Sequence, residues 1–241
     1  MPVESAVLGR YDKAYLEYET ENHFKYRSIA MQSLAEAGLD PKDARSSDGR
    51  QKSILEIGCA TGALLSLFKD AGWKSRGIEI SPEMSGYARR IFGLDVFTGR
   101  LEDAAFKPCN FDAIVASHLI EHLNSPVEFL QNAKKLLLLD GAFYIITPNA
   151  DSLQANLNRQ NWRSAIRDHL FLFSRVTLKA MLGKAGFRVD YFGSWGGWPK
   201  DMKPGFLKKP LDKMAKSLGW GDVMIIKAVL SGSGQGGCNG E

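Results

Sequence analysis

Apolar positions recur along this chain with two alternating periods. Short runs rich in β-branched and aromatic residues (SILEI, SRGIEI, DVFTG, FDAIVAS and AFYIITP) stand between longer stretches whose apolar side chains fall three or four apart. The first pattern is that of buried strands, the second that of amphipathic helices. The helical stretches are GALLSLFKDAG, PEMSGYARRIFG and SPVEFLQNAKKLLLLDG. Gly72 closes the first as a C-terminal cap, while Ser81-Pro82 and Ser125-Pro126 open the other two as a cap followed by proline at the first helical position. Further on, Ser174 opens the helix SRVTLKAMLGKAGF. RVDYFGS reads as a sixth strand and VMIIKAVL as a seventh. Strand and helix repeating at this spacing predict an α/β fold with a mostly parallel sheet covered on both faces.

The flanks read differently. Tyr11, Tyr15 and Tyr18 lie at i, i+4 and i+7, one face of a helix. A second helix is expected from near Asn22 to Ala37, stopped by Gly38 and Asp40-Pro41. Residues 1–50 are therefore expected to form an N-terminal helical lid, residues 51–230 the α/β domain, and residues 231–241 a flexible, glycine-rich tail. Two segments interrupt the domain, at 149–173 and 195–218. Insertions of that length in such folds commonly carry function, and WGGWPKDMKPGF, rich in Gly, Pro and Trp, is expected to be irregular.

The first strand runs into ILEIGCATG, Ile54 to Gly62. Glycine allows a tight turn and a ligand pressed against the backbone, and strand, glycine turn, helix is how a parallel sheet builds a nucleotide-like site at the carboxyl ends of its strands. The dinucleotide fingerprint G-x-G-x-x-G is absent, because Ala60 takes the middle glycine position and Gly62 is followed by Ala63-Leu64-Leu65. No P-loop lysine is present either. Glu79 ends the second strand, 21 positions after Gly58, about where an acid binds ribose hydroxyls. One carboxylate can accept from both hydroxyls at once.

Composition narrows the setting. No apolar stretch approaches the roughly 18 residues that span a bilayer, so no transmembrane segment is expected. The start lacks the basic-then-apolar pattern of a secretory signal. Cys59, Cys109 and Cys238 are odd in number and form no C-x-x-C, which suggests neither a disulfide framework nor a zinc knuckle. A reducing cytoplasm is the expected home. The net charge of +4 is unevenly spread: Asp151 to Lys216 holds 13 Lys or Arg against 5 Asp. That stretch is either a solvated surface or a face meeting an anionic acceptor.

Taken as a set, these motifs resemble class I S-adenosylmethionine-dependent methyltransferases of the type 11, 12 and 23 groups, over roughly Tyr11 to Leu230. ILEIGCATG resembles the family's E/D-x-G-x-G-x-G turn with Ala60 at the middle glycine. GIEIS resembles the acidic element after strand two, GRLEDAAF the stretch after strand three, and FDAIVASHLIEHLNSP strand four and the helix after it. ITPNADS and RDHLFLFS resemble the type 23 group in particular. The resemblance implies a Rossmann-like doubly wound, seven-stranded, mostly parallel sheet with the last strand antiparallel and added N-terminal helices. It implies S-adenosylmethionine as cofactor, its methionine part held by Glu56 and the turn Gly58, Cys59, Ala60 and Gly62. By the same likeness Glu79 takes the ribose, Ile80 lies against the adenine, and Leu101 and Glu102 line the adenine edge. Arg100 stands where the family often has Asp, and Glu102 is the residue expected to replace it. Ser117 and His118 would stand next to the sulfonium, and Tyr11 and Arg27 would close the site from the N-terminal helices.

His118-Leu-Ile-Glu121-His122 reads as H-x-x-E-H, an inverzincin pattern, which its strand-to-helix context excludes. Three readings of it remain open: His118 and His122 as general base or acceptor-positioning residues, a divalent-metal site, or plain helix packing. No metal ligand is assigned. Spaced by four, His118 and His122 would share a helix face. Trp162, His169, Trp195 and Trp198 are aromatic candidates for acceptor contact. The expected activity is methyl transfer, on oxygen in preference to nitrogen or carbon, to a small-molecule, sugar or lipid-linked acceptor, with room for an anionic one. Nucleic acid is not an expected partner, since no RNA-module signature or N-P-P-[YFW] motif occurs. A non-catalytic, S-adenosylmethionine-binding regulatory subunit is the alternative. The oligomeric state is not legible.

Overall fold

Seven strands build one sheet in the order β3-β2-β1-β4-β5-β7-β6. The structure is a computed structural model and describes residues 13–196 and 208–232. Strands β1 (Ser53–Ile57), β2 (Lys74–Glu79), β3 (Asp95–Thr98), β4 (Phe111–Ser117) and β5 (Leu137–Pro148) run parallel, and β7 (Val223–Leu230) lies antiparallel between β5 and β6 (Phe187–Trp195). This is the doubly wound, mostly parallel sheet that the residue pattern predicts.

Strands β1 and β4 are mostly apolar, with side chains buried on both faces, because helices cover both faces. One face packs Leu55, Ile57, Ile114, Phe143 and Leu178; the other packs Ile54, Leu65, Phe68, Val115 and Tyr144. Burial of a residue of this kind stabilises the fold by about 1.5–3 kcal/mol relative to leaving it exposed. Helix α2 (Ala63–Asp70) follows the glycine turn, and α3 (Pro82–Phe92) starts at Ser81, whose hydroxyl accepts from Met84 N–H, with Pro82 in the first turn. Helix α6 (Arg175–Lys184) begins with a capping box in which Ser174 and Thr177 satisfy each other's amides.

Three elements differ from the sequence reading. The two expected N-terminal helices are one, α1 (Lys13–Glu36), because nothing between Tyr18 and Asn22 breaks it. It ends where expected, at Gly38, whose φ of 85° only glycine adopts freely. Tyr11 lies outside the described residues. Helix α4 (Pro126–Leu136) stops at the first of the four leucines, and Leu137 pairs with Phe111 at the start of β5. Four consecutive leucines satisfy helix and strand alike. Here the bulge between Phe111 and Ala113 and the absence of a side chain at Gly141, where a Cβ would lie 2.9 Å from the Phe111 carbonyl oxygen, settle it as strand. Residues 208–218, the end of the insertion expected at 195–218 and given no element there, form the helix α7 (Lys208–Leu218). Most of WGGWPKDMKPGF, with Trp198, lies outside the described residues.

Cys59 is free and buried. Cys109 is disulfide-bonded, a departure from the expectation of unpaired thiols. Among the described residues no helix is long and apolar enough to cross a membrane.

Candidate functional site

The carboxyl edge of β1, β2 and β4 collects most of the expected residues. Beyond Ile57 the chain turns through Gly58 (φ 74°), Ala60 (φ 46°) and Gly62 (φ 75°). Gly58 and Cys59 both donate their N–H to the Ile78 carbonyl, at 2.8 and 3.0 Å, and Gly62 N–H closes the turn on Cys59 O at 2.7 Å. Gly62 is required by space as well as by φ, since a Cβ there would stand 2.5 Å from Leu94 Cδ1 and 2.9 Å from Ala88 Cβ. Gly77, which sequence reasoning missed, supports the turn from the neighbouring strand: a Cβ on it would meet Cys59 Sγ at 2.7 Å. Ala60 holds a left-handed conformation that an L-residue adopts at a cost of about 1–2 kcal/mol.

Two buried carboxyl groups face this turn. Glu79, 5% exposed, accepts from Ala60 N–H and from Ser81 N–H, both at 2.9 Å, one on each oxygen. Each oxygen keeps a lone pair for a further donor. Burial raises its pKa against those hydrogen bonds, and Glu19 on α1 adds to the rise, which places that helix beside the site. Glu56 is also 5% exposed, and its Oε2 has no hydrogen-bond partner. Burial pushes its pKa from 4.5 up to about 8, a hydrogen bond from the Leu65 backbone opposes the rise, and the nearby Glu79 charge adds to it. A buried carboxyl with an orphaned oxygen, set against a second carboxyl, is a site for a cation and an unfavourable one for a pyrophosphate.

Ile80 is half-buried after Glu79. After β3, a single 3₁₀ turn, Leu101–Asp103, buries Leu101 and leaves Glu102 exposed. Ser117 ends β4 half-buried, and His118 follows at φ 51° with its N–H on Ile146 O at 2.8 Å. Arg27 is half-buried on α1.

His118 and His122 do not share a helix face. The left-handed residue at 118 redirects the chain, and Ile120–His122 is one 3₁₀ turn. The His118 ring, 51% exposed, stays at the sheet edge with Nδ1 3.3 Å from Glu121 Oε1. Glu121 is 1% exposed, and its Oε2 accepts from Thr147 Oγ1 at 2.9 Å. Oε1 has no aligned hydrogen-bond donor, the His118 contact lacking that geometry. Burial raises the Glu121 pKa, but the His118 and His122 rings outweigh it and hold the carboxyl below its ordinary value. His122 turns the other way: its Nδ1 lies 2.8 Å from Asp168 O, and its ring packs edge-on against His169 with centroids 4.8 Å apart.

The insertion after β5 is fixed by Asp222 at the start of β7. That carboxylate, 5% exposed, accepts from Trp162 Nε1 at 2.5 Å, from Ser152 Oγ at 3.3 Å and from Arg163 Nε. Trp162 is thus a 4%-exposed anchor of the insertion and not an exposed acceptor platform. Neither the Asp222 anchor nor the meeting of His122 with His169 has a local sequence signal, since the partners are 60 and 47 residues apart.

The profile of a methyltransferase domain family matches residues 25–191. Ubiquinone biosynthesis O-methyltransferase from Actinobacillus pleuropneumoniae is 29% identical over 108 residues, covering 41% of this chain and 46% of that protein. The chain therefore spans about half the length of that curated relative. Among solved structures, an S-adenosylmethionine-dependent methyltransferase from Archaeoglobus fulgidus is similar with a TM-score of 0.61 at 20% identity, over 90% of this chain and 99% of that one. The magnesium protoporphyrin IX methyltransferase of Synechocystis, solved with bound S-adenosylhomocysteine, has a TM-score of 0.57 at 14% identity, over 87% of this chain and 84% of that one.

Proposed function

The chain belongs to the methyltransferase domain family, whose methyl donor is S-adenosylmethionine, and from that premise we propose that it methylates a hydroxyl of a small-molecule, sugar or lipid-linked acceptor. The observation that carries the donor half is Glu56. Its orphaned, buried carboxyl holds its proton in the ligand-free protein and can ionise against the ammonium and sulfonium charges of the cofactor's methionine end, while it offers no cation to a dinucleotide's phosphates. The amides of Gly58, Cys59 and Ala60 and the closed turn at Gly62 shape the wall against which that end lies. The free lone pairs of Glu79 receive the ribose hydroxyls. Ile80 and Leu101 flank the base, with Glu102 at its polar edge. Arg27 belongs to α1, the helix that closes the site as a lid.

When bound, the cofactor supplies an activated methyl on a good leaving group, so the protein's task is chiefly alignment. Ser117 ends β4, the neighbour of β1, and the turn that His118 opens meets the insertion, where Phe171 N–H donates to Glu121 O at 3.1 Å. His118 takes the proton of the acceptor hydroxyl, with Glu121 3.3 Å away orienting its ring. His122 positions the acceptor through the cluster it forms with His169. Arg167, exposed and two residues before His169, offers a cation to an anionic acceptor.

The test is transfer of labelled methyl from S-adenosylmethionine to the small-molecule fraction of a cell extract. The expected result is a labelled product, with His118→Ala lowering kcat at least about 100-fold at unchanged donor affinity. Donor binding without any labelled product would favour a regulatory, non-catalytic subunit. Full activity of His118→Ala would remove the base role.

A further inference from the structure

Leu157, Val176, Met214, Leu218 and Trp220 stand between 43% and 73% exposed. Single exposed apolar side chains are ordinary, but the segments that carry these five are tied together. Leu153, the first residue of α5 (Leu153–Asn158), donates its N–H to Trp220 O at 3.1 Å. Arg175 N–H, at the start of α6, donates to Asp151 Oδ2 at 3.0 Å. Asn149 Nδ2 donates to the carbonyls of Gly219 and Gly221, at 3.0 and 2.8 Å, and so fixes the end of α7 beside the end of β5. Helix α7 is divided along its length. Ala215 is buried against the fold. At about 100° per residue, Met214 and Leu218 fall to one side of it and Lys213 and Lys216 to the other. Lys216 Nζ reaches the Glu36 carboxylate at 2.7 Å, which braces α7 against the end of α1. Cations alternate with the apolar groups: Arg159 stands near Leu157, Arg175 beside Val176 and Lys213 beside Met214, all three exposed.

We propose that this edge of the protein adsorbs to a bilayer containing anionic phospholipid, with Met214, Leu218 and Trp220 seated at the acyl boundary and the neighbouring cations at the phosphates. A basic amphipathic helix with tryptophan at its end is the pattern of an element that lies in the interface, and no described helix is long and apolar enough to span one. Charge complementarity carries the choice of occupant. Asp151 to Lys216 holds 13 Lys or Arg against 5 Asp and no Glu, which an anionic headgroup layer attracts. The apolar side chains project singly between cations, which matches the layering of headgroup over acyl chain; the core of a protein interface is a continuous apolar patch depleted in charge. The surface also has a useful position. Val223, three residues after Trp220, pairs with Pro148 at the carboxyl end of β5, the edge on which β1, β2 and β4 also end. Adsorption there would bring the donor edge to acceptors held in the bilayer. That last point rests on the methyl-transfer reading; the adsorption does not.

Sedimentation of the full chain with phosphatidylcholine vesicles, with and without about 30% phosphatidylglycerol, tests the surface. Partitioning onto the anionic vesicles should be at least about tenfold stronger than onto the neutral ones and should fall as salt rises. The double variant Leu218→Ser, Trp220→Ser and the single variant Lys213→Glu should each weaken it, the first at least about tenfold, with far-ultraviolet circular dichroism matching the parent as the report of an intact fold. Tryptophan emission should move to shorter wavelength on anionic vesicles, and Trp220→Phe should at least about halve that shift. Equal partitioning onto both vesicles, none onto either, parent-like partitioning of the double variant, or an undiminished shift in Trp220→Phe would overturn the proposal. So would self-association without vesicle binding that the double variant abolishes, which would assign the surface to a second copy of the chain. Vesicle failure with donor binding intact leaves the methyltransferase reading standing, and the reverse leaves the adsorbing surface.

Discussion

Replacing Glu56 by Gln should make the ligand-free protein more stable as pH rises, at the expense of donor binding. In the unfolded chain this carboxyl titrates near 4.5; in the folded protein burial pushes it up to about 8. Between those values the folded state holds a proton that the unfolded state has released, so wild-type stability falls as pH increases. Below 4.5 both states are protonated, and above 8 neither is, so the effect is confined to that window. Each pH unit inside it is worth about 1.4 kcal/mol, or about 3 kcal/mol between pH 5 and 7.5. Glutamine does not titrate. The stability of Glu56→Gln minus that of wild type should therefore climb by about 3 kcal/mol over that range, whatever constant offset the new amide introduces at the orphaned Oε2 position. Urea denaturation at a series of pH values, without cofactor, measures the difference. A difference flat to within about 1 kcal/mol would refute the reasoning, because Glu56 would then be ionised in the folded protein through some unseen compensation.

Two further changes test the turn and the insertion. Ala60→Gly removes the left-handed strain at φ 46° but loosens the unfolded chain; stability should stay level or rise by up to about 1 kcal/mol, with donor affinity retained, and a drop in melting temperature would contradict this. Asp222→Ala strips the buried acceptor from Trp162, Ser152 and the largely exposed Arg163; a loss of about 2–4 kcal/mol in urea is expected, and a loss under about 1 kcal/mol would show that packing alone holds the insertion.

The residue pattern carried the sheet, since strands buried on both faces must be apolar throughout and their helices amphipathic. It also brought together the edge proposed for the donor, where turn glycines and strand-end acids sit within a few residues of their strands. It failed where local and tertiary preferences conflict. The run Leu136 to Leu139 has no period of its own; Leu136 ends the helix, and Leu137 to Leu139 became strand because Phe111 offered a partner. The spacing of His118 and His122 implied a helix face, but the left-handed backbone at 118 parted them. Gly77, Thr147, His169 and Asp222 act across distances that the chain does not encode locally, and the fold alone brings them to their partners.

Cofactor binding decides whether the buried acids at the ends of β1 and β2 form the donor site. Calorimetric titration with S-adenosylmethionine tests it most directly. Saturable binding of one cofactor per chain is expected, with no heat from NAD and weakening of at least about tenfold in Glu79→Ala through loss of the acceptor for the ribose hydroxyls. Absence of heat with S-adenosylmethionine and its demethylated product, or unchanged affinity in Glu79→Ala, would contradict it.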